Sequence, residues 1–131
     1  MIVRIGIMAL RACVVLALIL GILLWINAVP GGIVMVHMLL GILAVVALWM
    51  LAYGIATAPK GRNIGLAIGA FVMGLLLPII GLGQLSWLYL GASTHIVIQI
   101  VHLLVGLLAI GVGEMIAGRY KRLNKAEKQL A

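Results

Sequence analysis

Charged residues divide the chain before any other feature does. Arg4 and Arg11 stand near the start, Lys60 and Arg62 near the middle, and Glu114 with a mostly basic run from Arg119 to Lys128 near the end. The stretches between them, 12–59 and 63–113, contain no charge at all. Each is about twice the roughly 20 apolar residues that cross a bilayer as a helix. Turn-forming clusters split them further: Asn27-Ala28-Val29-Pro30-Gly31-Gly32 interrupts the first and Thr57-Ala58-Pro59-Lys60-Gly61 closes it. The pattern predicts four spans at about 5–26, 33–56, 63–83 and 94–117, with Pro78 expected to kink the third. Runs this long, without period-two alternation, read as helices rather than barrel strands. The predicted fold is therefore all-α: an integral membrane four-helix bundle forming a single four-span domain over 1–131, with residues 118–131 as a basic tail.

Composition agrees and narrows the function. The chain is 66% hydrophobic and 8% charged, against about a quarter charged in soluble domains. Membrane lipid is the expected surrounding, and the net charge of +7 does not make the chain a nucleic-acid reader. One cysteine, Cys13, allows no intrachain disulfide and no thiolate cluster. Without Asp, and with only Glu114 and Glu127, the chain lacks a carboxylate pair for hydrolysis. Every Lys and Arg falls at the N-terminus, in the 57–63 loop or in the tail, so both termini are predicted cytoplasmic, in a bacterial or archaeal plasma (inner) membrane. Trp25, Trp87 and Tyr89 are then expected at the outer interface, and Trp49, Tyr53 and Tyr120 at the inner one. The Arg-flanked first span reads as a retained helix rather than a signal peptide, and the basic tail as a topology determinant beside anionic lipid.

An internal repeat singles out two histidines. Under a 65-residue shift, Ile33-Val34-Met35-Val36-His37-Met38-Leu39-Leu40-Gly41-Ile42-Leu43-Ala44 aligns with Ile98-Gln99-Ile100-Val101-His102-Leu103-Leu104-Val105-Gly106-Leu107-Leu108-Ala109, with seven of twelve positions identical. Leu, Ile and Val match cheaply in such a chain; one of three histidines and the glycine four residues later do not. The first and third spans align far more weakly. Each repeat is a two-span hairpin, so the two enter the membrane in the same sense and relate by a pseudo-two-fold axis along its normal. At about 1.5 Å per residue, His37 lies roughly 7 Å below Gly32 and His102 roughly 12 Å below Thr94, about one turn apart.

An imidazole in hydrocarbon normally faces the bundle interior with a partner. Two of them, matched across a symmetry axis, supply what a haem iron takes: one neutral imidazole on each face. Gly41 and Gly106 share the histidines' helix face one turn deeper, where a missing side chain would let a macrocycle edge approach; helix–helix packing is the other reading of these glycines. His95, seven residues before His102, is on the same face two turns further out. It reads as a cofactor neighbour (a propionate or quinone partner, or a third metal ligand) or, equally, as a polar residue facing headgroups.

A four-span unit with a histidine near the outer end of spans two and four, together with the His102-Leu103-Leu104 run and its preceding Gln99, resembles one four-helix half of the haem A synthase family. The resemblance implies a bis-histidine b-type haem, with His37 and His102 carried over as axial ligands. The family's catalytic Glu is absent, since Val34 stands three residues before His37, Met38 replaces the Arg that follows it, and the outer loops lack cysteines. The resemblance therefore implies a haem-binding scaffold rather than haem A synthesis.

The expected function is one-electron transfer through haem b, with membrane quinone or respiratory-chain subunits as partners. The competing readings are a copper- or zinc-binding membrane protein using His37, His102, His95 and methionines such as Met35 and Met38, and a structural subunit whose histidines only hydrogen-bond between helices. Glu114 lies about 18 Å deeper than His102, which suggests a buried ion pair with Arg11; a proton or quinone role is the other reading of this residue. Gly65 and Gly69 form a G-x-x-x-G packing signal. The outer side offers haem propionates no cation, leaving them largely to water and to neutral residues such as Asn27, Gln84 and Gln99.

Overall fold

The computed structural model describes residues 1–58, 62–88 and 91–130. The Pro59-Lys60-Gly61 turn and Tyr89 of the expected aromatic belt lie outside the described residues. Four helices follow in order: α1 (Ile2–Trp25), α2 (Ile33–Ala56), α3 (Ile64–Gly83) and α4 (Ala92–Leu130), with no strand among the described residues. All four contain a segment long and apolar enough to cross a membrane, so the chain has the build of a multi-pass membrane protein. Hydrocarbon offers no partner to a free N–H or C=O, and helices satisfy both internally.

Helix ends are closed locally. Asn27 takes a left-handed conformation, φ 54°, so that its own N–H reaches the Leu24 carbonyl and the Ala28 N–H reaches Leu23, the paired bonds of a Schellman stop. Asn63 caps α3, its side chain accepting from the Leu66 N–H at 2.9 Å. At the other end of its sequence the chain departs from expectation: α4 runs 39 residues without a break, so the basic segment beyond 117 continues the helix. Gly118 alone does not stop it, since an interior glycine costs only about 1 kcal/mol relative to alanine.

The helices form a closed ring, each packed on its neighbours in sequence and α4 back on α1, while α2 and α4 also touch across the diagonal. The packed core occupies the half of the bundle that carries the termini. Val3, Ile7 and Leu10 of α1 meet Ala44, Ala47, Leu48, Leu51 and Ile55 of α2, with Ala67 and Ala70 of α3 and Ala109 and Ile116 of α4. These are i, i+3/i+4, i+7 stripes facing one another. Without a water-driven force between helices, close van der Waals fit holds them together. Glycine makes the fit possible at particular points: a Cβ on Gly54 would come 2.5 Å from Val3 Cγ2, and one on Gly6 would come 3.2 Å from Leu51 Cγ. The Gly65–Gly69 motif has no such role. A Cβ on Gly69 would meet nothing within 4 Å, and one on Gly65 would meet only its own capping Asn63.

No polar or charged residue is buried in this core. The Arg11–Glu114 pair forms, and it is bidentate: Arg11 Nε donates to Oε1 at 2.6 Å and Nη2 to Oε2 at 2.7 Å. It lies on the outer seam of α1 and α4, its side chains 54% and 44% exposed, rather than inside as expected. The reason is one residue back on each helix, where Leu10 presses onto Gly113 and takes the interior position. Arg11 and Glu114, the next residues along, are thereby turned outward side by side. Breaking the pair leaves a lone charge facing an apolar surrounding. Glu114→Gln and Arg11→Gln are each expected to lower the thermal midpoint in detergent, and the double variant to regain part of the loss, as read by circular dichroism.

Candidate functional site

The half of the bundle away from the termini is built differently. Here α2 presents His37 and α4 presents His102, and each imidazole leans on the helix that precedes its own in the chain. A Cβ on Gly21 of α1 would stand 3.1 Å from His37 Cε1, and one on Gly81 of α3 would stand 3.0 Å from His102 Cε1. Glycine at those two points is what lets the rings lie between the helices. His37 is anchored further: its Nδ1 is 2.9 Å from the Ala17 carbonyl oxygen. A carbonyl can only accept, so Nδ1 carries a proton, and in the neutral ring the lone pair is then on Nε2, the tautomer in which a backbone carbonyl steadies a metal-binding histidine. His102 has no such anchor, and its buried Nδ1 meets no partner among the described residues.

Across the diagonal of the bundle the two rings of α2 and α4 come together, their centroids 6.2 Å apart and their planes tilted by 59°. Two imidazoles bound to one metal from opposite sides, each nitrogen about 2.0 Å from it, hold their ring centres about 6 Å apart. Both rings line a cavity of about 530 Å³, well inside the roughly 300–1,000 Å³ range of cofactor and ligand sites. Gly41 and Gly106 line it as well. A Cβ on either would meet no atom within 4 Å, so these two glycines make no helix–helix contact and open onto the cavity.

His95 belongs to the same cavity, where its Nε2 and Gln99 Nε2 are 3.1 Å apart. Asn27 and Gln84 add neutral polar groups, and among the described residues no Lys, Arg, Asp or Glu lines the space. Among the described residues no group of three or more His, Cys, Asp and Glu is placed to hold a metal ion; what the fold brings together is a pair of imidazoles. Comparison with known proteins gives no matching family model, no matching characterised protein and no matching solved structure.

Sequence reasoning missed Gly21, Gly81 and the Ala17 carbonyl. A signal existed at a different offset, since Ile19-Leu20-Gly21 matches Ile79-Ile80-Gly81 under a shift of 60 residues instead of 65. The offsets differ because α4 starts further before its histidine than α2 does. Forcing a branched side chain against each ring tests the packing. Gly21→Val and Gly81→Val are expected to cost about 1–3 kcal/mol by overpacking. Gly41→Ala and Gly106→Ala, which meet open space, should instead raise stability by up to about 1 kcal/mol of helix propensity. Thermal unfolding in detergent reads the opposite signs.

Proposed function

We propose that this chain is a membrane b-type cytochrome that carries one haem b between His37 and His102 and passes single electrons. The observation that carries the reading is the pair of imidazoles 6.2 Å apart in a cavity of about 530 Å³. Three features of the residues present suit the group. In the neutral ring His37 Nε2 keeps its lone pair because Nδ1 is committed to Ala17. Gly41 and Gly106 leave open space beside the rings. The cavity walls are otherwise mostly apolar side chains such as Leu18, Leu103 and Leu107, which suits a porphyrin's flat hydrocarbon faces. Haem supplies a reversible Fe(III)/Fe(II) couple, and two axial imidazoles leave the iron no open position for substrate. The protein's own part is to hold both rings, exclude water and set the potential through burial and the Ala17 bond. Among the described lining residues no cation would meet the haem carboxylates, which would be left to water and to neutral side chains such as Asn27.

By the bias of Lys and Arg toward one end, the termini belong to the cytoplasm and the histidine end to the outer half of a bacterial or archaeal plasma membrane. Electron partners are then membrane quinone or subunits of a respiratory complex. A second reading has one observation in its favour: the His37–Ala17 bond ties α2 to α1 with no cofactor needed, which suits a structural subunit.

Pigment separates these readings. The purified protein is expected to be red, with about one haem b per chain by pyridine haemochrome assay. His37→Ala and His102→Ala should abolish the low-spin spectrum, and His95→Ala should leave it. Gly41→Leu and Gly106→Leu should fold yet lose haem, because they fill the space beside the rings. Colourless protein with stoichiometric copper or zinc would select a different metal site, and colourless protein without metal the structural reading.

A further inference from the structure

His95, Gln99 and Gln84 line the cavity beside the two imidazoles proposed to hold iron, and their chemistry points to a second ligand. We propose that His95, Gln99 and Gln84 bind the head of a lipid-dissolved quinone or quinol beside the haem. This deepens the cytochrome reading, on which its redox purpose rests, by assigning the electron partner and its site.

Charge comes first. Among the described residues, those lining the cavity include no Lys, Arg, Asp or Glu, so a head group held by His95, Gln99 and Gln84 meets only neutral partners. That favours a neutral ligand. The walls are apolar and lie among helices apolar enough to cross a membrane, so the ligand arrives from the lipid phase with a mostly apolar body. The hydrogen-bonding groups are specific. His95 and Gln99 stand one turn apart on α4 with their Nε2 atoms 3.1 Å apart, placing an imidazole next to an amide. Gln84, at the end of α3, has a buried Oε1 with no partner among the described residues, and such an acceptor calls for a donor. A flat neutral ring with an oxygen at each end offers one oxygen to each of these two sets of groups, which line one cavity from two different helices. The hydroxyl of a quinol satisfies the Gln84 acceptor, and the His95–Gln99 pair takes the opposite oxygen.

Position agrees with this division of labour. His95 is seven residues before His102, about 10 Å along α4 on the same face. The head therefore lies in the same cavity as the two imidazoles, about two helical turns from His102 along α4.

The test uses the purified, haem-loaded chain in detergent, titrated calorimetrically with a short-tailed benzoquinone and a short-tailed naphthoquinone. Saturable binding of at least one of them, at about one per chain, is expected. Gln99→Leu and Gln84→Leu should each weaken it about tenfold, the effect of one lost hydrogen bond in an apolar site, while haem content and the Soret band stay unchanged. Absence of saturable binding overturns the proposal, as does binding that neither variant weakens. Haem loss in these variants with unchanged quinone affinity also overturns it, because the residues would then serve the haem carboxylates. Failure of the cytochrome reading shows separately, as preparations without haem in any variant, and the same titration on colourless protein still decides whether the quinone site exists.

Discussion

Everything distinctive about this bundle depends on α2 and α4 meeting across its diagonal. In a ring of four helices the diagonal partners normally stand apart. Here they touch, and across the same diagonal two imidazoles come to 6.2 Å from each other in a region where water is scarce. A polar ring in such a place is costly unless something takes its nitrogens. The fold answers for one nitrogen of His37 with the Ala17 carbonyl and leaves the cavity to answer for the rest.

The two halves of the bundle divide the work of stability and binding. At the terminal end, Leu10, Leu48, Leu51, Ile55 and Ile116 are fully enclosed, with glycines opposite the bulkiest contacts. Toward the other end the same helices diverge around a cavity of about 530 Å³. Ala44 and Ala109, seven residues beyond the two histidines, are both in the core and mark the level where packing takes over from open space. Glycine serves opposite purposes on the two sides of that level. Gly54 and Gly113 let neighbouring side chains press against the backbone, whereas Gly41 and Gly106 keep space clear.

The Arg11–Glu114 pair shows how one apolar contact can dictate an electrostatic one. Leu10 against Gly113 sets the rotation of α1 on α4, and the residues that follow them must then emerge together. The two charges that each helix could not expose alone become a clasp on the seam. With the pair on the seam, the described core at the terminal end is wholly apolar.

The sequence alone was enough to establish that the chain is helical, has four segments long and apolar enough to cross a membrane, and repeats a His-x-x-x-Gly unit. These follow from one-dimensional quantities: run length, charge spacing and self-similarity. Arg11 and Glu114 could also be matched as partners, because a lone charge in each span asks for the other. What the linear order could not decide was helix rotation and diagonal contact. These settled which glycines pack (Gly6, Gly54, Gly113) and which do not (Gly65, Gly69), and they turned the ion pair outward. They also brought His95 into the cavity with Gln99 and set Gly21 and Gly81 behind the imidazoles. Spacing along a helix says which residues share a face; only the packing of neighbouring helices decides whether that face meets a side chain, an open cavity or the surrounding lipid.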